Sequence, residues 1–426
     1  MVAQSDLQIA QPLTLKCGLT LPNRLVKAAM AEQMAGAKQL PDEHLQAVYR
    51  HWSTGGWGLI ITGHVHVDDA HLGTPSDPAI PPSLPLDSLL PAYSALARAA
   101  QGVPPGPRKT PTIVQLNHPG RQSPRGAGTR GLFAPALAPS AVPVSLGSGL
   151  LAWLARVLAF GTPREMTRTE IATVVSQFAR AARVCAEAGF DGVEIHAAHG
   201  YLLSQFLSPK SNLRQDEYGG DAQGRARAVV EVVRAVKEAV KEYDGFCVGI
   251  KLNSVDHQGT EGDLLADCVE QVRALAEAGV DFIEISGGSY EDMRMVTGNA
   301  SSQAEEQKSE RTKAREAFFL EFAKIIRKEV PDVPLLVTGG FSSRGGMDRA
   351  VADGDCDLIG LARPSVLNPS LPNNLIFNPE VKDQDAVIYR KKNQAPWIVK
   401  FIGISAVGAG METQWYSEQI QTMSKT

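Results

Sequence analysis

Short apolar runs separated by amphipathic stretches recur along the chain. The runs are 24–30 (RLVKAAM), 58–62 (GLIIT), 112–116 (TIVQL), 192–195, 246–252 (FCVGIKL), 282–286 (FIEIS), 334–338 (PLLVT) and 357–361 (DLIGL). Each has the length and near-continuous hydrophobicity of a strand buried on both faces. Helical periodicity predicts helices over 42–53, 87–100, 167–188, 223–241, 263–278, 312–328 and 344–352, several of them closed by glycine. Strand–helix alternation repeated eight times predicts an α/β chain folded as a (β/α)8 barrel. Residues 12–16 and 19–22, around Cys17-Gly18, read as a hairpin at one end.

The alternation breaks after Leu116. Residues 117–161 are rich in Gly, Pro and Ser, and a loop of that length inside a compact fold is usually a lid. It contains LLAWLARVLAF at 150–160, which Arg156 interrupts and which is too short to span a bilayer. Leu150, Trp153, Leu154 and Phe160 suggest an apolar lid or a contact in a homo-oligomer. Residues 372–426 form an extension with a helix near 413–423. No linker divides the chain, so a single domain over 1–426 is expected, its core at about 13–371.

Composition narrows the function classes. A net charge of −4 offers no global attraction to nucleic acid or to an anionic membrane. Five cysteines, Cys17, Cys185, Cys247, Cys268 and Cys356, show no ligand spacing, which argues for reduced thiols and against an iron–sulfur cluster. The N-terminus lacks the pattern of a signal peptide, and a cytoplasmic protein is expected.

In a barrel of this kind the chemistry sits at the C-terminal ends of the strands. Those positions carry Ala28 to Glu32, Gly63-His64, Gln115, His196 with His199, Lys251, Ser286-Gly287-Gly288, Gly339-Gly340 and Ala362-Arg363. His196, His199 and Tyr201 stand together just beyond the strand at 192–195. They offer donors to an anionic oxygen and a weak acid. Strand-end histidines can also bind metal, but no carboxylate-rich ligand set accompanies them, so no metal is expected. Gly339-Gly340 followed by Arg363 suits a phosphate, and the glycine pair is equally a tight turn. Lys251 could equally be an ion-pair partner of Glu194 or Glu284.

The segment HAAHGYLLSQFLSPKSNLRQDEYGG, starting at His196, resembles the signature of the old yellow enzymes, FMN-dependent ene-reductases built on (β/α)8 barrels. Pro22-Asn23-Arg24, VQLNHPGRQ around Gln115, Arg225, VTGGF at 337–341 and GLARP at 360–364 match in the same order. The resemblance implies bound FMN, NADPH or NADH as reductant, and an enone or enal substrate. It implies that His196 and His199 bind the substrate carbonyl and that Tyr201 protonates the α-carbon, in a ping-pong cycle. It assigns the flavin ring to Ala28, Ala29, Met30, Ala31, His64, Gln115 and Lys251, and the phosphate to Gly339, Gly340, Ala362 and Arg363. A redox-neutral isomerase, or a biosynthetic enzyme using the same His-His-Tyr set, is the alternative. Three positions depart from the family pattern. Ala31 replaces a Thr or Cys, His64 replaces a small residue or Asn, and Ala362 replaces a Gly.

Overall fold

The computed structural model describes residues 6–102, 109–147, 149–253, 262–287, 319–389 and 405–425. The segment expected to overhang the site at 290–311 lies outside these residues, as does the first part of the helix expected at 312–328.

Eight strands close into a barrel: β3 (Leu25–Lys27), β4 (Leu59–His66), β5 (Thr112–Asn117), β8 (Gly192–Ala197), β9 (Cys247–Asn253), β10 (Phe282–Ser286), β11 (Leu335–Thr338) and β12 (Leu358–Leu361). Every neighbouring pair is parallel, and β12 returns to β3 through Ile359↔Leu25 and Leu361↔Lys27. Of these strands' residues only His64 is not fully buried, which accounts for the continuous apolar runs in the sequence. The expected α/β barrel is the observed fold.

The hairpin is also present, as β1 (Leu13–Thr14) paired antiparallel with β2 (Thr20–Leu21). Leu15 and Leu21 pack with Val26, Leu59, Ile61, Ile113, Phe282, Leu336 and Leu358, so the hairpin plugs the N-terminal end of the barrel. Functional groups are therefore confined to the other end. The surrounding helices bury their apolar faces in a larger cluster that includes Trp52, Tyr93, Phe178, Val229 and Val272.

The insertion after β5 carries secondary structure of its own. It holds a short strand pair, β6 (Leu137–Ala138) and β7 (Arg164–Glu165), and the helix Leu150–Ala159. That helix buries Ala152 and leaves Leu150, Leu151, Trp153, Leu154 and Leu158 exposed. The C-terminal helix begins earlier than its apolar pattern indicates, at Ser405, and runs to Met423.

Candidate active site

β8 ends at Ala197, and the chain turns sharply through His199 and Gly200, both with positive φ (60° and 73°). A non-glycine residue in this region is strained and has to be held by its surroundings. Here Gln122 Nε2 donates to the His199 carbonyl at 3.0 Å, and Gln205 Nε2 donates to the Gly200 carbonyl at 2.7 Å. The turn folds His199 back over the barrel mouth, with its ring 4.9 Å from that of His196, edge to face. Tyr201 follows at the N-terminus of the helix Leu202–Leu207, its ring 5.0 Å from His196. The three residues singled out by sequence thus form one cluster.

Their protonation follows from the geometry. The Ala198 N–H donates to His196 Nδ1 at 3.3 Å, so a neutral imidazole carries its hydrogen on Nε2. Burial, helped by the nearby His199 and Lys251, holds His196 well below the ordinary histidine range. Burial, then Lys251, pushes His199 down to about 3. Both rings are neutral near pH 7 and act as single N–H donors rather than as cations.

A charged layer lies beneath them. Lys251 Nζ meets Glu284 Oε1 at 2.6 Å across paired strands, and Gln115 Nε2 donates to Glu194 Oε2 at 2.6 Å. Burial would raise both carboxyls. Lys251 overrides this at Glu284 and holds it low, whereas burial and the neighbouring Glu284 raise Glu194 far above its usual range. Glu194 is therefore the protonated partner, and the layer is neutral overall. The ion-pair alternative for Lys251 is realised, with Glu284 as the partner. In this arrangement Gln115 directs its amide nitrogen down to Glu194. Two residues on, Asn117 is fully buried with neither side-chain amide atom partnered. Such a group implies a bound molecule or water.

His64 lies on the Tyr201 side of the mouth, ring to ring at 5.8 Å. Its Nε2 sits 3.4 Å from Asp77 Oδ2, and His66 Nε2 sits 3.0 Å from the same oxygen. Burial alone would lower His64, but Asp77 outweighs it and raises the ring above the ordinary histidine value. Alongside, His71 Nδ1 lies 2.6 Å from Asp68, and His118 Nε2 lies 3.6 Å from it. Rather than His196 and His199, the carboxylates here meet His64, His66, His71 and His118. The segment after β4 folds Asp68 and Asp77 back onto them, making two His–Asp clusters of potential ligand atoms. Burial lowers His66 and takes His118 down to about 4. Gly120 N–H donates to His118 Nδ1, occupying the lone pair of that ring nitrogen.

Residues 28–33 curve over the ends of β12 and β4. The Ala28 N–H donates to the Leu361 carbonyl at 3.2 Å. Glu32 is buried, accepts from the Tyr49 hydroxyl, and accepts from the Gly63 N–H at 2.8 Å. A Cβ at Gly63 would sit 1.9 Å from Glu32 Oε2, so only glycine fits there. This fixes the backbone of Ala29, Met30 and Ala31 at the mouth. On the adjacent side Gly339 and Gly340 follow β11 with φ of +128° and +85°. Ala362 and Arg363 follow β12, which pairs with β11 through Thr338↔Gly360. Ala362 has φ of −87°, so replacement of the usual glycine costs no backbone strain. Arg363 Nη1 pairs with Glu412 of the C-terminal helix at 2.5 Å, a partner the sequence reading did not anticipate.

Comparisons with known proteins agree with this architecture. Residues 8–378 match the model of the NADH:flavin oxidoreductase / NADH oxidase family. The chain belongs to that family, the old yellow enzymes. It is 53% identical over 420 residues to the NADH-dependent flavin oxidoreductase iliE of Neonectria sp. (strain DH2), covering 97% of this chain and 53% of that longer protein. It is 48% identical to the NADH-dependent flavin oxidoreductase iccE of Talaromyces variabilis, with 99% of each covered. In fold it resembles morphinone reductase (TM-score 0.68, 23% identity, 92% of this chain and 93% of that one). The family's cofactor is FMN and its reductant a nicotinamide. The mouth fits FMN. It offers glycine backbone free of side chains, a guanidinium with one nitrogen engaged, a buried lysine and an unpartnered amide at Asn117. Among the described residues no helix is long and apolar enough to cross a membrane.

Proposed function

We propose that this protein reduces the activated C=C bond of an α,β-unsaturated carbonyl compound at the expense of NADH or NADPH. The observation that carries the reading is the cluster of His196, His199 and Tyr201, with a neutral imidazole whose Nε2–H faces outward from its backbone hydrogen bond. FMN, when bound, supplies the hydride for the β-carbon. His196, and His199 beside it, donate to the carbonyl oxygen and stabilise the negative charge that grows there. Neutral rings suit this task because they donate without delivering the proton to oxygen. Tyr201, whose phenol is a weak acid, gives its proton to the α-carbon. Gly339, Gly340, Ala362 and Arg363 hold the phosphate. Residues Ala28 to Ala31, with His64, Gln115 and Lys251, surround the ring.

Anaerobic titration of the purified yellow protein tests this. NADH or NADPH should bleach the flavin, and a cyclic enone should then restore the colour. A protein without flavin overturns the reading. Flavin that neither nicotinamide bleaches would favour redox-neutral isomerisation at the same His-His-Tyr set.

A further inference from the structure

The C-terminal helix Ser405–Met423 lies outside the barrel's strand–helix repeat, yet two of its side chains reach residues assigned to the flavin and a third reaches the loop beside them. Glu412, buried, accepts from Arg363 Nη1 at 2.5 Å. Ser417 Oγ donates to the Ala31 carbonyl at 2.8 Å. Gln421 Nε2 donates to the carbonyls of Glu32 and Gln33 at 3.2 and 3.3 Å. Gln33 has φ of 55°, so Gln421 braces a strained point of the loop that follows Ala31. Glu412, Tyr416 and Ile420 recur every fourth residue on the buried face, so docking of that face brings the polar contacts with it.

We propose that this helix is part of the flavin site, with Glu412 as the positioning residue for Arg363. The inference rests on the assignment of Arg363 to the FMN phosphate. A guanidinium presents five N–H donors in one plane. Glu412 holds Nη1, which fixes that plane and leaves Nε and Nη2 to meet a phosphate. A long side chain ordered in advance loses less freedom on binding. The carboxylate would repel the phosphate, but the guanidinium charge lies between them. Ser417 and Gln421 act on the other side of the site, holding the loop expected to line the ring.

The test compares FMN with riboflavin, which lacks the phosphate, by quenching of flavin fluorescence on titration into protein stripped of its flavin. Glu412→Ala should weaken FMN about tenfold and leave riboflavin unchanged, with Glu412→Gln in between. Ser417→Ala combined with Gln421→Ala should weaken both flavins alike. Glu418→Gln, on the exposed face of the same helix, should change neither. If Glu412→Ala binds FMN as well as or better than the parent, or loses both flavins equally, Glu412 has no positioning role. A parent protein that binds neither flavin overturns the flavin assignment itself. One that binds FMN no better than riboflavin overturns the phosphate role of Arg363.

Discussion

In the proposed cycle Tyr201 is the acid and the two histidines are the donors. Tyr201→Phe keeps the ring packing against His196 and removes only the acidic hydrogen. Flavin bleaching by NADH should be unaffected, while reoxidation by an enone should slow by about 10²–10⁴-fold, the usual contribution of a general acid. Stopped-flow measurement of the two half-reactions separates them, and equal loss in both would exclude the assigned role. Lys251 is a different case, because its buried partner depends on it. Lys251→Met leaves Glu284 without its counter-ion, at a cost of roughly 3–5 kcal/mol for breaking such a pair. Adding Glu284→Gln should recover part of that loss in urea denaturation. A double variant no more stable than the single one would mean that the pair is not coupled.

At the scale of elements, the helix Arg168–Glu187 begins with a reciprocal capping box. The Thr167 side chain accepts from the Glu170 N–H, and the Glu170 carboxylate accepts from the Thr167 N–H. Thr167→Ala should cost about 1 kcal/mol with little change in turnover, since the cap lies on the outer layer. Inside the barrel the tolerance is smaller. A Cβ at Gly249 would lie 2.1 Å from the Phe282 ring, so Gly249→Ala should overpack the plugged end. The expected loss of about 1–3 kcal/mol can be read from thermal melting.

For the molecule as a whole, acid sensitivity follows from the site. The folded state holds His199 at about 3, below the ordinary 6.5, so below pH 6.5 the unfolded chain takes up a proton that the native ring refuses. Stability should fall as pH drops from about 6.5 towards 3. Asp77, held well below the usual carboxylate range by its histidines against the effect of burial, adds further loss below about pH 4. Melting temperatures of the parent and of His199→Asn between pH 7.5 and 5 check this. The variant's melting temperature should depend less on pH, and identical slopes would remove His199 as the cause.

The sequence by itself determined the barrel, because a parallel strand buried on both faces needs a continuous apolar run and each return needs a helix. It also brought His196, His199 and Tyr201 together, since they are near neighbours in the chain at one strand end. It could not show how these groups are charged or braced. His64 meets Asp77 only because the segment after β4 folds back. Lys251 chooses Glu284 over Glu194 by cross-strand register. Arg363 finds Glu412 after 49 residues, through the docking of a helix outside the repeat. A carboxylate within the apolar stripe of that helix was the one available signal. Contacts of this kind depend on which strands and helices become neighbours, so only the closed barrel decided them.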